Sequence, residues 1–127
     1  MSYTKKNLRD VEDSAVKFGL TETQEARFAR SEIGAEQTGM NYLKVKPSKR
    51  EAFAHSHETA EEIYLVLDGS GRVKLDDDLV DLAPFDLVRV EPGTVRCFEA
   101  GPDGLGVLIF GPHVEGDGNV VEGFWAD

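Results

Sequence analysis

The chain has 127 residues, 40% of them hydrophobic and 30% charged, which suits one globular domain with a single core. Acidic residues outnumber basic ones 24 to 14, a net charge of −10 that argues against a nucleic-acid partner, whose phosphates would be repelled. No apolar run is long enough to cross a bilayer as a helix, and the opening MSYTKKNLRD has no apolar signal core, so the expectation is a cytoplasmic protein with no membrane partner. The single cysteine, Cys97, rules out an intrachain disulfide and reads as a small buried side chain.

Residues 1–39 read as an extension packing on a barrel formed by residues 40–112, with 113–127 as a tail, all one domain. In the extension, LRDVEDSAVKFG has the pattern of a short helix ended by Gly19. TETQEARFARSEIG is open between a helix and an edge strand. Its acidic residues and Thr21 or Thr23 favour a helix start, and the alternation of Ala26, Phe28 and Arg30 against Arg27 and Ala29 does not decide. From Met40 the pattern changes to short β-type runs: MNYLKV, EAFAHSH, EIYLVL, GRVKL, LVDLA, DLVRV, VRCFEA and GVLIF. PSK, DGSG, DDD, EPG and GPDGLG separate them as turns. Such spacing predicts an all-β antiparallel sandwich or barrel. The tail GPHVEGDGNVVEGFWAD reads mostly as loop, with Phe124 and Trp125 as anchors onto the body.

The chemistry concentrates in HSHETAEEIYLVLDG, residues 55–69. On a strand, His55 and His57 project to one face, roughly 7 Å apart along the chain. If ETAE closes a four-residue hairpin, His57 lies opposite Glu62 and His55 opposite Tyr64. Two imidazoles and a carboxylate would then meet within reach of one divalent ion, an arrangement suited to iron, manganese or zinc, with nickel also to be sought.

This stretch resembles the first motif of a small single-domain cupin: His-x-His, three or four residues, Glu, six residues, Gly. His55, His57, Glu62 and Gly69 fit it with the four-residue spacing, and Gly69 would turn DGSG sharply between strands. The resemblance covers roughly residues 40–110. It implies an antiparallel jelly-roll β-barrel with the site inside and a small-molecule ligand. It also implies either a metal-dependent enzyme of the dioxygenase, decarboxylase or isomerase class, or a metal-free binding or sensor module.

The second cupin motif reads Gly, five residues, Pro, any residue, Gly, two residues, His, and here the counterpart is FDLVRVEPGTVR. Phe85 stands at the first glycine, Glu91 at the proline, and Arg96 at the last histidine; only Gly93 is kept. A guanidinium offers no lone pair to a metal. Two roles follow for an inward Arg96: it grips an anionic substrate beside a metal held by His55, His57 and Glu62, or it pairs with Glu62 and takes the metal's place. Tyr64 and Phe53 are the expected pocket walls, and His113 is expected in an exposed loop rather than as a ligand. If Tyr64 and Val66 face inward, Ile63, Leu65 and Leu67 face outward and need a cover. The extension, the tail or a second subunit would supply it, and the expectation is a homodimer.

Overall fold

The structure, a computed structural model, describes residues 2–125; Met1 of the expected extension and Ala126 and Asp127 of the expected tail lie outside the described residues. A 3-10 turn (Leu8–Asp10) and one turn of helix, α1 (Ser14–Lys17), lead into β1 (Gln24–Phe28), β2 (Gly39–Val45), β3 (Ala54–His57) and β4 (Glu62–Leu75). There follow β5 (Asp78–Leu82), β6 (Leu87–Val90), β7 (Arg96–Gly111) and β8 (Gly118–Val121). The strands form one curled antiparallel sheet, an all-β barrel of the jelly-roll kind.

Strand β7 is the hub. Its second half lies between β2 and the first half of β4, and its first half pairs with the second half of β4. The alternation expected of half-buried strands holds in β2 and β4, where Leu43, Tyr64, Val66 and Val73 fill the core between less buried neighbours, whereas β7 is buried on both faces at Arg96–Phe98 and at 104–107. Two of the expected turns are not turns. DGSG and GPDGLG lie within β4 and β7, which run on through them with register shifts at Val66/Asp68 and Gly69/Gly71. The glycines serve close approach: a Cβ on Gly69, whose φ is +77°, would sit 2.0 Å from the Gly104 carbonyl oxygen. EIYLVL and GRVKL are therefore one strand, as are VRCFEA and GVLIF.

The helix expected over LRDVEDSAVKFG is broken in two. Asp13, in extended conformation, caps Ala15 N at 3.0 Å and accepts at the same distance from Ala26 N of β1. That bond ties the turn to the sheet edge and isolates a helix too short to persist alone. Of the two forms open to TETQEARFARSEIG, the structure has the edge strand, β1, over Gln24–Phe28, with Gln24 and Ala26 turned to the core. In the tail, Gly118–Val121 forms β8 rather than loop, and Phe124 and Trp125 lie against Lys74, Arg50 and Arg72.

Between β5 and β6 the chain turns through Ala83-Pro84-Phe85-Asp86, closed by Asp86 N to Ala83 O at 3.1 Å. Phe85 has φ +71° and is 78% exposed, so it holds the left-handed conformation of a glycine with no packing in return. Phe85→Gly should raise unfolding stability by about 1 kcal/mol in urea titrations, without altering the cooperativity of the transition.

Candidate metal centre

His55 and His57 turn into the barrel with their rings edge to face, centroids 5.1 Å apart. The hairpin expected across ETAE is absent. Strand β3 pairs with β8, placing His57 opposite Gly118 and His55 opposite Val120, and on its other side meets β7 at His55 opposite Arg96. Strand β4 instead pairs with β6 and β7, so Glu62 reaches the histidines from a strand that is not their neighbour. The connection does not close as a hairpin because its amides are claimed elsewhere. Asp117 Oδ1 accepts from Thr59 N at 2.8 Å and Thr59 Oγ1 at 2.6 Å, and Oδ2 accepts from Ala60 N at 2.9 Å.

The three expected ligands nevertheless converge. Glu62 Oε1 stands 3.5 Å from Nε2 of His55 and 3.5 Å from Nε2 of His57. One donor atom from each of the three residues lies within 4.8 Å of the others. The same carboxylate oxygen accepts from Arg96 Nη2 at 2.6 Å and from the Tyr64 hydroxyl at 2.7 Å. Arg96 is 0% exposed, and its remaining bonds are Nε to the Tyr64 oxygen at 3.1 Å and Nη1 to Thr94 O at 2.9 Å. Of its two expected roles, the geometry displays the pairing with Glu62; the guanidinium does not face a cavity. Tyr64, 1% exposed, likewise sits behind Glu62 rather than in a cavity wall.

Protonation states favour ligation. Burial alone would raise the Glu62 carboxyl, but contacts with His55, Arg96 and Tyr64 outweigh it and hold it down at about 2. Burial pushes the His57 imidazolium down, against the pull of Glu62, which leaves a neutral ring. Its buried Nδ1 has no aligned hydrogen-bond partner but lies 3.2 Å from Asp117 Oδ2, a contact that favours the proton on Nδ1 and the lone pair on Nε2. Two imidazole nitrogens and an ionised oxygen fit a divalent metal. Arg96 opposes this by neutralising the oxygen that the metal would share.

Two cavities meet at these residues. One, of about 330 Å3, is walled by Phe28, Leu43, Phe53 and Val120 and reaches His55, His57 and Glu62. The other, of about 320 Å3, reaches His57 and Glu62 from the side of Arg30, Ser31 and His113. Phe53 thus stands in a cavity wall, and His113 is exposed in the loop after β7, at the second cavity and outside the ligand group.

Glu51, Asp117 and Arg30 were not legible as site residues, because isolated charged residues in loops carry no spacing signal. Glu51 borders the first cavity, with Oε1 accepting from Phe98 N at 3.2 Å. Burial pushes its carboxyl up to about 7. Cys97 is buried, as expected, and burial raises its thiol to about 12, so it is no nucleophile.

Residues 41–109 match the family described as Cupin domain. The chain belongs to the cupin family. No curated protein matches this cupin, but solved structures do. A cupin protein from Bacteroides fragilis has TM-score 0.72 and 20% identity, covering 91% of this chain and 88% of that one. A polyketide cyclase from Streptomyces resistomycificus has TM-score 0.75 and 21% identity, covering 92% and 84%. Oxalate decarboxylase from Bacillus subtilis has TM-score 0.78 and 20% identity, covering 95% of this chain but only 32% of that longer one. At these identities the likeness is one of fold.

The Glu51 carboxyl sits near 4.5 unfolded and near 7 folded, so the folded state binds the extra proton. Its contribution to stability is complete below pH 4.5 and is lost as pH rises through 7. Glu51→Gln should leave unfolding stability nearly unchanged at pH 5 and raise it by about 2 kcal/mol at pH 8, measured by denaturant titration at both.

Proposed function

We propose that this cupin binds a small anionic molecule where its two cavities meet, and acts on it as a metal-dependent enzyme. His55, His57 and Glu62 would hold the metal, with iron, manganese, zinc and nickel as the candidates. The observation that carries the reading is the convergence of two imidazoles and one ionised carboxylate at the junction of the cavities. A metal held there supplies a Lewis acid that orients and polarises the ligand, or a centre that activates dioxygen.

The chain's own residues divide the remaining work. Asp117 fixes the His57 ring and the loop 58–61 behind it. Arg96 and Tyr64 keep Glu62 ionised and immobile. Glu51, whose carboxyl can hold or release a proton near neutrality, borders the cavity on the His55 side, where a general acid or base would stand. Phe28 and Phe53 wall the cavity that borders these groups.

A second reading is a metal-free ligand-binding or sensor module. It is favoured by Arg96, which stands where the resemblance places the last histidine and donates to the very oxygen that a metal would use. Metal content separates the two. Protein purified without an affinity tag or chelator should carry one equivalent of metal by elemental mass spectrometry, and the His55→Ala, His57→Ala double variant should carry none. Arg96→His should then raise metal affinity. An empty wild-type protein that stays empty after incubation with each ion leaves the metal-free module.

The outer face of the sheet supports a dimer. Ile63, Leu87 and Phe110 are 41%, 70% and 38% exposed and lie on adjacent strands, Ile63 directly opposite Phe110. The N-terminal segment borders Tyr42 and Leu67 at one end of this face. A symmetric pairing of two such faces would cover the remainder. Light scattering at micromolar concentration should give a mass twice that of one chain, and Ile63→Lys should return it to that of a monomer.

A further inference from the structure

An anionic ligand needs a cation to receive it, and Arg96 is buried away from both cavities. The charge inventory points to another residue. Among the described residues, Arg27, Arg50, Arg72, Arg89 and Arg96 each stand within 4.0 Å of a carboxylate oxygen. Arg9 is exposed to solvent. Arg30 is half-buried, in a chain with ten more acidic than basic residues, and its one side-chain hydrogen bond among the described residues is Nη1 to Ala35 O at 3.2 Å. Its other side-chain nitrogens are not among the buried polar atoms left without a partner, so they keep contact with solvent and are open to an anion in the cavity.

Arg30 lines the cavity of about 320 Å3 that it shares with Ser31, His113, His57 and Glu62. Its stem is accommodated by Gly39, where a Cβ would come within 3.3 Å of Arg30 Cδ. The adjoining cavity, about 330 Å3, has no arginine or lysine on its walls and is dominated by Phe28, Leu43, Phe53, Ile109 and Val120. The two share Phe28, Asn41, His57, Glu62 and Ile109, while Arg30 lines only the first and Leu43, Phe53 and Val120 only the second. One lobe is therefore cationic and the other apolar, and the candidate chemistry lies between them. The ionised Glu62 would repel an incoming anion, but Arg96 at 2.6 Å already offsets its charge.

We infer that the ligand is a small carboxylate with an apolar body, its carboxylate received by Arg30 in the first lobe and its body seated between Phe28 and Phe53 in the second. This rests on the reading of the two lobes as the ligand site, and it does not require the metal. A guanidinium takes a carboxylate through two parallel hydrogen bonds, which a lysine cannot reproduce in geometry but can in charge. Size also fits, since two joined lobes of these volumes hold a molecule of a few carbons to a small aromatic acid.

The test is isothermal titration of a homologous series of alkyl and phenylalkyl carboxylates, each with its matched alcohol, into wild type, Arg30→Gln and Arg30→Lys. Metal content is measured on the same samples, and thermal melts confirm that the variants are folded. Wild type should bind at least one phenylalkyl carboxylate and prefer it to the alcohol. Arg30→Gln should weaken that acid by ~10-fold or more and leave the alcohol unchanged, with Arg30→Lys between. Equal affinity of wild type and Arg30→Gln for the acid, no preference over the alcohol, or no binding across the series overturns the inference. Carboxylate binding through Arg30 in a metal-free protein upholds it while the enzyme reading fails. A metal-loaded protein indifferent to Arg30→Gln gives the reverse.

Discussion

A wholly buried guanidinium has to be satisfied where it lies, and the interior of this barrel is organised around that requirement. Arg96 takes a carboxylate, a phenol oxygen and a backbone carbonyl, and in doing so fixes Glu62, Tyr64 and the Thr94 turn in one arrangement. The single oxygen Glu62 Oε1 then becomes the meeting point of a cation, a hydroxyl and two imidazoles. Removing Glu62 would strand the wholly buried Arg96 in the core, at a cost of about 3–5 kcal/mol. That coupling ties the position of the candidate ligand Glu62 to the core beneath it.

The placement of the ligands by the surrounding chain is as informative as the ligands themselves. Strand β3 is only four residues long and touches β7 through a single residue pair. What holds it is β8, together with a bond from Gly93 N to His57 O at 2.7 Å. Gly93 has φ +87°, so the one glycine kept from the second cupin motif has a direct bond to the histidine strand. Asp117 completes the support from just before β8.

Much of this was legible in the sequence, for reasons that differ from residue to residue. The barrel could be read because half-buried strands alternate, and the histidines and Glu62 because their spacing is fixed by a strand and a short connection. The route by which they meet could not. The hairpin inference assumed that a four-residue gap returns a strand to its neighbour, whereas Asp117, far along the chain, takes the amides of that gap. Glycine-rich segments misled in a similar way. DGSG and GPDGLG have the composition of turns, but the glycines are there because the backbones of β4 and β7 nearly touch. Strand β8 is too short to show alternation, and β1 was undecided because its inward positions begin with polar Gln24 and small Ala26.

The dependence of β3 on β8 also sets an order of events during synthesis. The histidines leave the ribosome early, but Gly93, Arg96, Asp117 and the strand through Val121 must follow before the centre can close. Until then a nascent chain would expose an unpaired strand edge bearing two imidazoles, free to pick up stray metal or a second chain. The centre therefore cannot close until the chain through Val121 has been made.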